Sequence, residues 1–215
     1  MPKKELVIKN TIIYIVYLFL VWGLYRFLFK FPDEVEELFI KPIIWLLPLI
    51  YFLKKEKQGI SSLGVTSKNL FPAVYFALGL GAFFVIEAVI INFVKYQGLN
   101  FSANIGQATL LVSLGLSFAT ALTEELVFRG YIFNRVWWLL GKEWPANIIT
   151  SFFWALIHLP ITIFVWKLSP EASLTYFVLT MIFGMGSAFV FARTKNIFSS
   201  ILLHVLWEWP IILFR

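Results

Sequence analysis

Both histidines of this 215-residue chain, His158 and His204, lie in long apolar stretches, and so do Arg26, Glu87, Glu124, Glu125 and Glu208. An ionisable side chain facing lipid at the bilayer centre costs at least ~2.5–3.5 kcal/mol, so such groups need an interior partner or a task. The run Thr123-Glu124-Glu125-Leu126-Val127-Phe128-Arg129 divides its charges by helical geometry. Glu125 and Arg129 are i,i+4 and share a face, where they can pair. Glu124 is turned by about 100° from Glu125, points elsewhere and is expected to keep a free carboxylate. His204 and Glu208 are again i,i+4, and Trp154 stands one turn before His158. A carboxylate beside imidazoles in a low-dielectric pocket suits the activation of water. The carboxylate takes the proton, while an imidazole orients the water or stabilises charge developing on an attacked carbonyl. The chemistry so indicated is hydrolysis.

Other hydrolytic designs are excluded. There is no cysteine, hence no thiolate nucleophile, and the only aspartate, Asp33, lies in a polar loop, which rules out an aspartyl dyad. Neither H-E-x-x-H nor G-x-S-x-G occurs. Arg26 and Glu87 fall in the outer halves of their segments and are expected to satisfy each other.

The elements that must position these groups are membrane helices. The chain is 60% hydrophobic and 14% charged, with a mean hydropathy of +0.83. A soluble domain carries about 25% charged residues. The composition predicts an all-α, polytopic bundle of about seven transmembrane helices, near 11–29, 38–53, 70–94, 108–128, 146–166, 172–192 and 197–214. Lys3, Lys4 and Lys9 precede the first as in a signal peptide. The apolar run continues to about Phe29 with no small-residue cleavage site, so a retained span is expected. Twelve basic residues, Arg129 and Arg135 among them, fall to one side of these spans and five, including Lys41, to the other. The positive-inside rule then puts the N-terminus in the cytoplasm and the C-terminus outside. Glu124, His158 and His204 all come to the cytoplasmic half. Pro160 follows His158 by two positions and Pro210 follows Glu208 by two; each removes a backbone hydrogen bond and can open its helix to water. The formal charge of +6 suits membrane lipid with anionic headgroups, and nothing beyond that charge supports nucleic acid as a partner. No composition break divides the chain, so one domain, 1–215, is expected, with a motif-bearing core at about 108–214.

E-E-x-x-x-R at Glu124, Glu125 and Arg129, an aromatic-x-x-x-H at Trp154 to His158, and H-x-x-x-[polar] at His204 to Glu208 resemble the three motifs of the CPBP family. These are the CAAX prenyl endopeptidases and the bacteriocin-processing or immunity proteins. The stretch Arg193-Thr194-Lys195-Asn196-Ile197 before Leu202-Leu203-His204 is similar to the family's approach to its last motif, and the likeness covers roughly residues 110–210. The resemblance implies an intramembrane glutamate endopeptidase acting on a membrane-associated peptide or protein near the cytoplasmic face. Glu124 would activate water, His158 would help hold it, and His204 with Glu208 would form the oxyanion site. Glu125, Arg129 and Trp154 would support them. Two positions depart from the pattern: Trp154 stands where phenylalanine is usual, and Glu208 where asparagine is usual.

The departure at Glu208 keeps a second function in view, a non-catalytic immunity or scaffold protein with the same fold. A small carrier using buried Glu and His is a third, weakened by the lack of paired repeat halves. The glutamate mechanism requires no cofactor. Glu124, His158, His204 and Glu208 would nonetheless make a nitrogen/oxygen ligand set of the kind zinc takes, so a metal is left unknown by the sequence.

Overall fold

In a bilayer every backbone N–H must be satisfied within its own segment unless a barrel closes, and apolar runs of this length therefore fold as helices. The computed structural model, which describes residues 3–100 and 110–214, is all-α, with no strand among the described residues. Seven helical segments follow one another among those residues: α1 (Lys4–Leu28), α2 (33–55), α3 (Leu70–Tyr96), α4 (110–140), α5 (143–165), α6 (Pro170–Thr194) and α7 (Ile197–Phe214). Five stretches, Lys4–Leu28, Leu70–Val94, Leu111–Leu140, Glu143–Val165 and Pro170–Thr194, are long and apolar enough to cross a membrane, and Ile197–Trp209 is a shorter apolar helix. The outward faces carry lipid-compatible side chains such as Phe71, Phe83 and Leu111. Helices α3 and α4 both pack along α7, and α5 packs against α6.

Three π-helical stretches interrupt this regularity: Glu36–Ile40 in α2, Leu126–Phe133 in α4 and Ile161–Val165 at the end of α5. Each lies beside a titratable residue named above or one that joins it below. Such widened turns concentrate at functional sites, because they re-aim side chains without ending the helix.

The fourth segment differs from its expected span, 108–128. Residues 108 and 109 lie outside the described residues, and the helix runs on to Leu140 through Arg129 and Arg135. Those arginines are therefore helix residues, both buried, rather than loop charges. Each is tolerated because it reaches a carboxylate. Arg129 pairs with Glu125, and Arg135 pairs with buried Glu56, whose oxygens also accept from Tyr131 Oη (2.5 Å) and Asn10 Nδ2 (3.3 Å). The second segment likewise begins earlier than expected, at Asp33, and carries Lys41 into the interior. Arg26 does not take Glu87 as partner; it pairs with Glu36 and lies 3.7 Å from Glu37, both in the π stretch of α2. Around these charges the core is aromatic, with Tyr14, Trp45, Phe128, Tyr131, Trp154 and Phe183 fully or almost fully buried.

Candidate active site

The site forms where α4, α5 and α7 meet, with α2 closing one edge. On α4 the two adjacent carboxylates diverge as helical rotation requires. Glu125 accepts from Arg129 Nη1 (3.1 Å), from Ser187 Oγ on α6 (2.7 Å) and from His204 Nδ1 on α7 (2.8 Å). Glu124 turns away from the arginine. Its Oε2 accepts from Trp154 Nε1 (2.9 Å) and lies 3.5 Å from His158 Nε2, and its Oε1 accepts from Lys41 Nζ (2.9 Å). Both glutamates are buried, at 2% and 0% exposure.

His158 owes its position to a broken helix. Pro160 lacks the N–H that would continue the ladder, and the regular helix of α5 stops at Leu156. The backbone N–H of His158 then bonds to Ala155 O rather than to Trp154 O. That leaves the Trp154 carbonyl to accept from the imidazole Nδ1 at 2.7 Å. A carbonyl only accepts, so Nδ1 carries a proton and donates, which turns Nε2 toward Glu124. In the tautomer protonated at Nδ1 alone, Nε2 and Glu124 Oε2 are two acceptors 3.5 Å apart, to which a single water can donate one hydrogen each. The His158 side chain is 15% exposed, more than either glutamate or His204, and marks the edge by which water would enter.

His204 is held differently. Its Nδ1 donates to Glu125, and its ring lies between Trp154 (centroids 5.7 Å apart, perpendicular) and Phe183 (4.9 Å). A carboxylate accepting at Nδ1 lets the ring carry a second proton on Nε2, the state needed to donate to an oxyanion. Arg129 is fixed in turn by the Gly184 carbonyl (3.2 Å) and by stacking over Trp154 at 4.4 Å. A side chain at position 184 would meet Trp154 and Ser151 at 3.1 Å and the guanidinium at 3.2 Å, which explains glycine there. Glu208 follows His204 by one turn and is half-buried.

The expected cluster is thus two coupled pairs, Glu124 with His158 and Glu125 with His204, bridged by the Trp154 ring. Among the described residues no three His, Asp or Glu side chains converge as ligands for a metal ion, because each histidine is committed to a different glutamate. The expectation that Glu124 would have no cation of its own is corrected by Lys41. In the sequence Lys41-Pro42 reads as the start of a span, and the one local signal of an interior role is the i,i+4 spacing of Lys41 from Glu37, which marks a helix face. Ser187 and Gly184 carried no signal beyond being small residues in an apolar helix.

The fold and this arrangement define a polytopic membrane protein with a buried glutamate–histidine centre. The family model described as "Type II CAAX prenyl endopeptidase Rce1-like" matches residues 106–210, just under half of the chain. Over these residues the chain is similar to that family, which includes the CAAX intramembrane proteases, and the resemblance carried by the three motifs is borne out. The "Sporulation-killing factor biosynthesis protein SkfC" of Bacillus subtilis (strain 168) is 26% identical over 98 residues, covering 40% of this chain and 20% of that protein. The chain therefore spans about a fifth of the length of the relative it matches.

Proposed function

We propose that the protein is an intramembrane endopeptidase of the glutamate type, in which Glu124 is the general base. The observation that carries this is the facing of Glu124 Oε2 and His158 Nε2 across 3.5 Å. A water bridging them attacks the scissile carbonyl and passes its proton to Glu124, which returns it to the leaving amine. His204, held at Nδ1 by Glu125, turns its Nε2 to the oxyanion as a donor. Glu208 occupies the place of the usual asparagine and, in its protonated form, donates an O–H where the amide would donate an N–H. No step requires a metal. The substrate is a membrane-associated peptide or protein; the relative's description, biosynthesis of a killing factor, adds the precursor of such a factor to prenylated C-termini as a substrate class. We also place the N-terminus in the cytoplasm. Withdrawing Arg129, Arg135 and Lys41 from the loop charges leaves ten basic residues against four, in the same direction.

The test is cleavage by the purified protein in liposomes, using a farnesylated CAAX-type peptide and a single-span helical peptide as probes. Activity that depends on Glu124 supports the proposal. Glu208 in place of an amide favours a second reading, a non-catalytic protein of the same fold, which such activity would eliminate.

Trp154 supplies a further prediction. Phenylalanine, the residue usual in the family's motif, would keep an aromatic ring but lose the 2.9 Å hydrogen bond to Glu124. A hydrogen bond to a charged group contributes about 1.5–3 kcal/mol. Trp154→Phe is accordingly expected to lower kcat about tenfold or more without abolishing it. Unchanged kcat in the liposome assay would show that the indole N–H does not hold the base.

A further inference from the structure

The family match begins at residue 106, yet the shortest ion pair of Glu124 among the described residues comes from residue 41. Lys41 is 4% exposed and sits where the π stretch of α2 passes into regular helix. Its Nζ donates to Glu37 Oε2 (2.5 Å) and to Glu124 Oε1 (2.9 Å), between the rings of Trp22 and Trp45 at 5.7 and 5.8 Å. Glu37 is itself fixed, because Thr120 Oγ1 on α4 donates to the same oxygen at 2.7 Å and Arg26 approaches the other at 3.7 Å.

Charge balance argues against a pair that exists only to neutralise a lysine. Lys41 already has a carboxylate on its own helix, Glu37, one turn away. The cluster holds three carboxylates, Glu36, Glu37 and Glu124, against two cations, Arg26 and Lys41. Glu124 therefore keeps its nucleophile-activating charge in the presence of the lysine. What Lys41 adds is direction. With Oε1 held by the ammonium and Oε2 by Trp154, the carboxylate cannot rotate without breaking one of two charge-assisted hydrogen bonds. The orientation so fixed turns the remaining face of Oε2 toward His158.

We infer that Lys41, from outside the family-matched segment, is a positioning residue for the general base, holding Glu124 Oε1 so that Oε2 faces the water shared with His158. This rests on the hydrolytic function proposed above. The N-terminal helices then complete the site as well as anchoring it.

The experiment compares Lys41→Met, Lys41→Arg and the double variant Lys41→Met/Glu37→Gln with wild type and Glu124→Gln, in liposomes with the same two peptide probes. The double variant removes one charge of each sign and so preserves the cluster's net charge should the single variant fail to fold. Lys41→Met is expected to lower kcat about 10- to 100-fold with KM changed less than about twofold. Lys41→Arg, which keeps the charge, is expected to recover kcat to within about tenfold of wild type, and the double variant to stay as slow as the single. The inference is overturned by a near-normal kcat in the methionine variants, by a loss confined to KM, by no recovery with arginine, or by a rise in kcat, which would make Lys41 a plug on the base. Cleavage that persists in Glu124→Gln would instead sink the proposed function. A dead Glu124→Gln with normal Lys41→Met sinks the positioning role alone.

Discussion

Glu124→Gln is expected to lower kcat for peptide cleavage by about 10²–10⁴-fold while the bundle stays folded, the loss typical of a missing general base. The amide is nearly isosteric, so its oxygen can still accept from Trp154 or Lys41, and Lys41 retains Glu37 at 2.5 Å. What vanishes is the basic oxygen opposite His158. Kinetics in liposomes, paired with a melting curve in detergent, separate this from unfolding. A variant that melts like wild type and cleaves at the wild-type rate would remove Glu124 from the chemistry.

The second large effect falls on stability. Glu125 is fully buried and gathers Arg129, Ser187 and His204 from three elements. In Glu125→Ala the guanidinium remains in the core with the Gly184 carbonyl and the Trp154 face as its neighbours. Breaking a buried ion pair on one side costs about 3–5 kcal/mol, a large part of the roughly 5–15 kcal/mol by which most folded proteins are stable. A marked fall in melting temperature is expected, with cleavage lost as His204 is released. Removing the arginine as well, in Glu125→Ala/Arg129→Met, should return much of the stability and none of the activity, because His204 still lacks its anchor. If the single variant melts within a degree or two of wild type, Glu125 is not the anchor described here.

How much of this was legible in the sequence depends on the distance over which each interaction acts. The separate tasks of Glu124 and Glu125 followed from one helical rotation, and Pro160 announced the break that frees the Trp154 carbonyl for His158. These are local effects, within four or five residues. The assignment of His204 to Glu125 rather than Glu124 is a contact across 79 positions, and the Lys41–Glu124 pair spans 83. No periodicity encodes them. Arg135 and Lys41 read as loop charges because a bilayer-spanning helix usually ends at a cation, and only tertiary packing brought Glu56 to the one and Glu124 to the other. The departure at Trp154 gave no sign of its bond to Glu124, because a motif records ring shape and not the indole N–H.

The central claim is that Glu124 and His158 direct a water onto a peptide bond, and the most direct measurement follows that water. Wild-type protein in liposomes, given the farnesylated and single-span peptides in ¹⁸O-water, should release fragments whose new carboxyl terminus has gained one ¹⁸O by mass spectrometry, with no label in Glu124→Gln samples. Intact peptides from the wild-type protein, or cleavage products without the label, would contradict it.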